Sequence, residues 1–390
     1  MRKYLINTSS LLLVILLVGF QPVINDGDCQ TSNCFAIGQG ANRDSSTAED
    51  SLNNGPHVFW QNDSSAIVFY LCNAAVESRT FQGVDTLRFH GFCQDSDIEY
   101  VITADSAAIE PHIIEDVSRI IAVSDIHGEY EHLVDILAKS GVTDDNCHWS
   151  WADGHLVILG DVFDRGDKVT ECLWLIRRLE WEAKKSGGAV HYILGNHELM
   201  VLRGDNRYVH EKYLNGIAKE TRINYKDLYG PDMELGKWLR SKHSIIKVND
   251  IIFVHAGISP FLIEHGLGLA DINETVRNSI DLRSSQLAFN DAVRFLFGNK
   301  GPLWYRGYHE RMRDRYSMAS PGEVDSILSY YRANAIVVGH TEVDSVSGIY
   351  GNRIMAIDVP AEELGTLEAL LWDNGSFYRV TGKGEFRPIE

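Results

Sequence analysis

Residues 156–166 read LVILGDVFDRG, and this stretch decides the fold class of the 390-residue chain. The apolar run Leu156–Leu159 is short and ends at a glycine, as a buried strand does. Asp161, Asp164 and Arg165 follow it at once. The stretch therefore predicts a buried strand with charged side chains at its carboxyl end, which is where open α/β sheets bind their ligands.

Four other apolar runs end in the same way. They are Ile120–Val123 before SDIHG, Val190–Leu194 before GNHE, Ile251–Val254 before HAG, and Ala335–Val338 before GHT. Helical patterns over 129–140 and 168–185 separate the first three runs, which predicts right-handed βαβ crossovers in an α/β fold. One polar residue after a strand is usually a turn residue or a helix cap. Five such ends, several carrying histidine, indicate a ligand site instead.

The side chains at these five ends suit a pair of divalent metals. The set consists of Asp125, His127, Asp161, Asn196, His197, His255 and His340. Carboxylate, amide oxygen and imidazole together favour Mn, Fe or Zn, and the absence of cysteine from the set disfavours structural zinc. Two metals about 3.5–4 Å apart need a bridging ligand. Asp161 is the candidate bridge, because it lies between the other ligands in chain order and follows a central strand.

The five blocks, in this order over residues 120–341, resemble the calcineurin-like metallophosphoesterases. Within that superfamily they resemble the phosphoprotein phosphatase branch and its Shewanella-like members, as does the segment PLWYRG at 302–307. The resemblance implies a β-sandwich of mixed sheets flanked by helices over residues 115–385. It also implies a phosphoric monoester hydrolase with two divalent metal ions. Ser124 and Ala256 replace glycines that are usual in the family, and neither change removes a ligand.

The resemblance assigns a role to each matching residue. One metal would be held by Asp125, His127 and Asp161, and the second by Asp161, Asn196, His255 and His340. His197 would be the general acid, and Asp164 would orient it. Arg165 and Arg306 would grip the phosphate, although a surface ion pair is the other interpretation of each arginine.

The amino-terminal part predicts export. Arg2 and Lys3 precede the ten-residue apolar run Leu11–Phe20, which is shorter than the roughly 20 residues of a membrane span. Residues 1–25 are therefore predicted to be a signal peptide or a retained membrane anchor of a periplasmic or extracellular protein. The Gly-, Ser- and Asn-rich residues 38–56 predict a linker, and residues 57–112 predict a small β-rich domain.

The six cysteines fit an exported protein. Cys29, Cys34, Cys72 and Cys93 precede the catalytic motifs, and four cysteines allow three pairings between which the sequence does not choose. Cys147 and Cys172 are predicted to be free thiols, and Cys172 lies on the apolar face of a helix.

The insert at 203–243, between the third and fourth ligand strands, is rich in aromatic and basic residues. It is either a rim that contacts the substrate or a helical cap that packs its own aromatic side chains.

Three functions are compatible with these observations. The first is hydrolysis of phosphate monoesters, on proteins or small molecules, with phosphotyrosine as the first candidate substrate. The second is a phosphodiesterase or dinucleoside polyphosphate hydrolase on the same metal core. The third is a binding protein with a relict site, which the intact ligand set disfavours. A net charge of −18 disfavours a nucleic-acid partner.

Overall fold

A computed structural model of the chain describes residues 52–390, apart from residues 92, 94–97, 104–106, 283–285 and 287–290. The predicted signal peptide or anchor, most of the predicted linker, Cys29 and Cys34 lie outside the described residues. Among the helices that are described, none is long and apolar enough to cross a membrane.

The strands and helices are numbered here in chain order over the described residues. The strands are β1 Asn54–Asn62, β2 Ser65–Cys72, β3 Ala75–Gln82, β4 Thr86–His90, β5 Glu99–Thr103, β6 Ile113–Ile114, β7 Arg119–Val123, β8 His155–Ile158, β9 Ala189–Tyr192, β10 Ile245–Val248, β11 Ile251–Val254, β12 Ala335–Val338, β13 Ser347–Ile349, β14 Ile354–Ala356, β15 Ala369–Asp373, β16 Ser376–Val380 and β17 Phe386–Pro388. The α-helices are α1 Tyr130–Lys139, α2 Val169–Lys185, α3 Asn196–Leu202, α4 Ala218–Thr221, α5 Glu234–Arg240, α6 Pro260–Glu264, α7 Leu269–Ser279, α8 Asp291–Leu296, α9 Pro321–Tyr331 and α10 Ala361–Leu364.

Two six-stranded mixed sheets form the centre of the molecule. Their strand orders are β17-β16-β15-β7-β8-β9 and β13-β14-β12-β11-β10-β6. Val157 and Ile193 from the first sheet bury against Phe253 and Val337 from the second. Helices cover the outer faces, so the central strands are buried on both sides and appear in the sequence as apolar runs. The predicted α/β sandwich of mixed sheets flanked by helices is confirmed.

The strand directions bring the five predicted ligand segments to one edge. Strands β7, β8 and β9 run parallel to one another in the first sheet, and β11 runs parallel to β12 in the second. Parallel strands present their carboxyl ends at the same edge, which is the edge that binds ligands in open α/β sheets.

The amino-terminal strands form an antiparallel sheet, β1-β2-β3, and a separate hairpin, β4-β5. The sheet packs against α2 and α5. The indole of Trp174 donates to Pro56 O at 2.9 Å, and that of Trp60 donates to Glu234 Oε2 at 2.8 Å. Strand β1 begins at Asn54, within the residues predicted to be a linker, and its apolar side chains belong to the same core cluster as those of α2.

A disulfide joins Cys72 at the end of β2 to Cys93, with the Cα atoms 5.7 Å apart. This is one pairing among those that the sequence left open. Cys172 is a free thiol and is fully buried, as its position on the apolar face of α2 predicted.

Candidate dinuclear metal centre

Two groups of potential metal ligands meet at the carboxyl edge of the sheets. The ligand atoms of His127, Asp161 and His197 lie within 4.8 Å of one another, and so do those of Asp161, His255 and His340. Asp161 belongs to both groups and is almost completely buried. A carboxylate shared by two clusters is the arrangement that a bridging ligand between two metal ions requires.

The two remaining predicted ligands lie beside these groups. Asn196 Oδ1 is 2.9 Å from His255 Nε2. Asp125 Oδ1 is 4.0 Å from His127 Nε2, while Asp125 Oδ2 accepts hydrogen bonds from the Ser124 hydroxyl and from His340 N. One oxygen of Asp125 is thus held by the protein and the other faces the cluster. The structure brings all six predicted ligands together.

The tautomer of His255 tests whether a cation fits this cluster. Its Nδ1 lies 2.7 Å from Leu159 O, which can only accept, so Nδ1 carries a proton. In a neutral ring, Nε2 would then point a lone pair at Asn196 Oδ1 and, at 3.2 Å, at Asp161 Oδ2. His127 is fixed in the same way, with Nδ1 2.8 Å from Phe163 O. Such backbone hydrogen bonds are typical of metal-ligating histidines, so the donor set fits a metal ion.

The electrostatics of the cluster favour positive charge. Burial alone would lower the pKa of His255, but the negative charge of Asp161 and the hydrogen bond to it raise that pKa to about 10. Burial opposes ionisation of Asp161, yet the charges of His255 and His197 hold its pKa well below the usual range. The buried Nε2 of His340 has no hydrogen-bond partner among the residues that the structure describes. These properties are those of a site that accommodates cations.

The backbone is strained at the predicted site residues. Positive φ angles occur at Asp125 (52°), His127 (49°), Asp161 (52°), Asp164 (71°) and His340 (64°). Residues that have a Cβ seldom adopt this left-handed backbone conformation, and such strain concentrates at functional sites. The adjoining glycines make room for the ligands, since a Cβ at Gly195 would lie 2.2 Å from Asp161 Oδ1.

His197 and Asp164 form a buried pair next to the metal ligands. His197 Nδ1 lies 2.6 Å from Asp164 Oδ2, and His197 Nε2 lies 3.8 Å from Asp161 Oδ2. The free nitrogen of the imidazole therefore faces the cluster. Burial alone would lower the pKa of His197, but the charge of Asp161 and the hydrogen bond with Asp164 raise it. The pair therefore holds a proton where a leaving oxygen would need it.

The two predicted phosphate-binding arginines lie on either side of the cluster. Arg165 is exposed, directly follows Asp164, and adopts a positive φ of 63°. Arg306 is half-buried, and its Nη1 is 3.5 Å from the hydroxyl of Thr341, the residue after His340. Neither guanidinium has a carboxylate partner of its own among the described ion pairs, so the surface-ion-pair interpretation finds no support there.

Comparison with known proteins places this centre in a family. The model of the calcineurin-like phosphoesterases matches residues 118–344, which is more than half of the chain. The crystal structure of a cold-active protein-tyrosine phosphatase from a psychrophilic Shewanella species is 33% identical, with a TM-score of 0.80 over 87% of this chain and 99% of that one. The chain belongs to the calcineurin-like phosphoesterase family.

Curated relatives of this phosphoesterase confirm the resemblance to the Shewanella-like subgroup. Shewanella-like protein phosphatase 1 of Plasmodium berghei is 32% identical over 243 residues, which are 62% of this chain and 66% of that protein. Shewanella-like protein phosphatase 2 of Arabidopsis thaliana is 26% identical over 284 residues, which are 62% of this chain and 71% of that protein. The phosphoesterase is therefore a hydrolase related to metal-dependent phosphatases.

Sequence analysis of the phosphoesterase missed the importance of Glu198. This fully buried carboxylate accepts hydrogen bonds from Asp161 N at 2.9 Å, Val162 N at 2.8 Å and Gly195 N at 2.6 Å, and from the Tyr192 hydroxyl at 3.0 Å. It ties the loop after β8 to the loop after β9. The signal was present, because a glutamate three residues after a helix N-cap is the capping-box position.

The insert at 203–243 divides into two parts. Tyr213, Tyr225, Tyr229 and Trp238 are buried and pack as an aromatic cap, which is the second of the two interpretations left open. Tyr208, by contrast, is 50% exposed and lies beside His197. One residue of the insert thus reaches the site while most of its aromatic side chains form core.

Proposed function

We propose that this phosphoesterase hydrolyses phosphate monoesters on proteins, including phosphotyrosine, with two divalent cations of the Mn, Fe or Zn type. The observation that carries the proposal is Asp161, which both ligand groups share while the His197–Asp164 pair lies next to it. Hydrolysis of a monoester needs charge neutralisation, an activated water and an acid. The ligand residues would hold cations that supply the first two, and His197 is the candidate for the third.

The predicted ligands would hold the cations in two sets that share Asp161. Asp125 and His127 complete the first set, while Asn196, His255 and His340 complete the second. The bound cations would neutralise the phosphate oxygens and activate water for attack. Ser124 and the backbone N–H of His340 hold one oxygen of Asp125 and leave the other for the metal.

His197 would donate its Nε2 proton to the leaving oxygen. Asp164 fixes the ring by accepting from Nδ1 at 2.6 Å, which keeps Nε2 directed at the cluster. The charge of Asp161 and the hydrogen bond with Asp164 raise the pKa of His197, which favours the protonated ring that an acid requires. Arg165 and Arg306 would each form charge-assisted hydrogen bonds with the phosphate oxygens.

A substrate panel tests the proposal. We expect the metal-loaded phosphatase to release phosphate from phosphotyrosine and phosphoserine peptides, and from aryl monoesters, faster than it cleaves aryl diesters or dinucleoside tetraphosphates. Preferential cleavage of the diester or the dinucleotide would replace this proposal with the second function. A folded, metal-loaded protein that cleaves none of them would favour a binding role.

We also propose that the chain is exported. The Cys72–Cys93 disulfide supports this proposal, since disulfides persist in oxidising compartments. Fractionation of cells that express the full chain should recover it outside the cytoplasm, either free or with the membranes if residues 1–25 are retained as an anchor. Recovery from the cytoplasm with reduced cysteines would contradict this proposal.

A further inference from the structure

Tyr208 is an exposed aromatic side chain at the mouth of the site. The residue is 50% exposed, and its ring centroid lies 5.4 Å from that of His197 with the two planes tilted by 48°. A half-exposed tyrosine ring against the candidate acid is not required by the core, because the buried aromatics of the insert pack elsewhere. Its position beside His197 therefore points to a contact with the substrate.

Hydrogen bonds of the insert fix Tyr208 relative to the catalytic groups. Its carbonyl accepts from Arg165 N at 2.9 Å, so the residue is attached to the loop that carries the candidate phosphate-binding arginine. Farther along the insert, the Tyr213 hydroxyl donates to Asp167 O at 2.9 Å and Lys212 Nζ donates to the same carbonyl at 2.7 Å. The ring is therefore presented on a segment that is attached at two points.

A neighbouring ion pair flanks the ring. The Arg207 guanidinium lies 5.6 Å from the Tyr208 ring centroid, and Arg207 Nη2 is 2.8 Å from Asp205 Oδ2. The arginine is thereby held against the aromatic ring. The part of the Tyr208 ring that Arg207 does not cover is exposed to solvent.

The chemistry of the leaving group explains what this surface would contact. Water adds to phosphorus and releases one proton to solvent, the ester P–O bond breaks, and its electron pair stays on the leaving oxygen. That oxygen takes the proton from His197, which then regains a proton from solvent. Whatever is attached to that oxygen must therefore lie next to His197, where Tyr208 is. An aryl group there can stack on the tyrosine at the centroid separations of about 4.5–7 Å that aromatic pairs adopt, whereas the single methylene of phosphoserine cannot.

We propose that Tyr208 is a specificity residue that stacks on the aromatic ring of the leaving group and so favours phosphotyrosine over phosphoserine. The inference rests on the proposed monoesterase function and narrows its substrate class. A second aromatic ring, that of Trp304, has its centroid 5.9 Å from that of His340, in the other ligand group, whereas the Tyr208 ring lies against that of the acid. Stacking on the leaving group is therefore assigned to Tyr208.

Paired phosphopeptides of one sequence, differing only in phosphotyrosine or phosphoserine, test the proposal on the metal-loaded full chain. Tyr208→Ala should lower kcat/KM for the phosphotyrosine peptide by about 2- to 12-fold more than for the phosphoserine peptide, the equivalent of an aromatic pair. Tyr208→Phe should retain the preference. Tyr330→Ala is the matched control, because Tyr330 is a similarly exposed tyrosine (44%) on α9. Equal losses on both peptides, or no loss, would overturn the assignment.

Binding of non-hydrolysable ligands separates this inference from the proposed function. Calorimetry should show that phenylphosphonate binds the metal-loaded protein more tightly than methylphosphonate, and that Tyr208→Ala removes the difference. If that result holds but no monoester is hydrolysed, the aryl-binding role stands and the monoesterase proposal fails. If monoesters are hydrolysed but the two phosphonates bind alike in the wild type and in Tyr208→Ala, the aryl-binding role is wrong.

Discussion

At the scale of single residues, the candidate site depends on Asp161, whose two carboxylate oxygens each make a different contact. Asp161 Oδ1 accepts from His197 N at 2.9 Å, and Asp161 Oδ2 lies 3.2 Å from His255 Nε2. One carboxylate therefore positions the acid and faces the second ligand group. The other predicted metal ligands could be identified from the sequence because each lies just after an apolar run. Tyr208 was predictable only as a member of an aromatic insert, because its contact with His197 depends on how the insert folds.

Asp161→Asn tests the shared ligand. The amide brings no negative charge between the two ligand groups, so we expect bound metal to fall below two per chain and turnover of p-nitrophenyl phosphate to fall by at least about 100-fold. Metal analysis of the purified variant checks the first expectation. Asp153→Asn, at a largely exposed aspartate distant from the cluster, is the control. Two metals per chain in Asp161→Asn would show that Asp161 is not the bridge.

His197→Ala tests the acid. We expect the variant to keep its metal and lose about 100- to 10,000-fold in turnover, the range over which a positioned acid contributes. The loss should be smallest for aryl phosphates whose phenol is already acidic, because those leaving groups need no proton. A series of substituted phenyl phosphates measures this trend. A loss that is independent of the leaving group would contradict the acid role.

At the scale of secondary-structure elements, apolar runs in the sequence predicted the strands that are buried on both faces. An exposed strand leaves no such run. Strands β7, β8, β9, β11 and β12 coincide with five apolar runs. Strand β3, inside the predicted β-rich domain, carries no such local signal, because its sequence AVESRTFQ has no apolar alternation and most of its side chains are exposed. It exists because it pairs with β2 along its whole length. Pairing partners are a property of the fold, which no window of sequence contains.

Glu198→Gln tests the connection between the loops after β8 and β9. The carboxylate accepts from four backbone N–H groups and a tyrosine hydroxyl, whereas an amide can accept at only one of its two ends. We expect metal affinity to fall about 10- to 100-fold, as it does when groups that orient ligands are lost, together with a lower Tm. Isothermal titration with Mn²⁺ and thermal unfolding measure the two effects. Unchanged metal affinity would make Glu198 a purely local helix cap.

The burial of His57 on β1 predicts that the stability of the folded chain falls at acidic pH. The His57 ring is buried and stacks on that of Phe69 with the centroids 5.1 Å apart. Its Nε2 lies 2.8 Å from Asn54 Oδ1. Burial lowers its pKa to about 4. The unfolded chain therefore binds this proton more readily, so the stabilisation is complete above about pH 6.5 and is lost as pH falls toward 4.

His57→Gln measures that contribution. Between pH 7.5 and 5.5, the free energy of unfolding of the wild type should fall by roughly 1 kcal/mol more than that of the variant. Chemical denaturation of the metal-free proteins at both pH values checks this, because metal binding has its own pH dependence. Equal pH dependence in the two proteins would mean that His57 does not stay neutral in the folded state.

At the scale of the whole molecule, the candidate metal ligands come from both sheets of the sandwich. Asp125, His127, Asp161 and Asn196 follow strands of the first sheet, while His255 and His340 follow strands of the second. The sandwich and its ligand edge were predictable, because the order of motifs determines them. The packing of β1–β3 on α2 and α5 and the Cys72–Cys93 pairing were not, because both depend on contacts between residues far apart in sequence.

Cations that join the two sheets should stabilise the fold. At a metal concentration about 100 times the Kd, binding to the folded state alone contributes roughly 2.7 kcal/mol. We therefore expect EDTA to lower the Tm of the wild type by several degrees and Mn²⁺ to restore it. Asp161→Asn should respond much less. Identical melting curves with and without metal would show that the centre does not join the sheets energetically.

We propose above all that a dinuclear metal centre makes this chain a phosphomonoesterase. The most direct measurement is turnover of p-nitrophenyl phosphate and of bis-p-nitrophenyl phosphate by metal-stripped protein as Mn²⁺ is added in known equivalents. The structure predicts that monoester turnover rises until two metals are bound per chain and exceeds diester turnover throughout. Faster turnover of the diester, or no turnover in folded protein that has bound two metals, would contradict the claim.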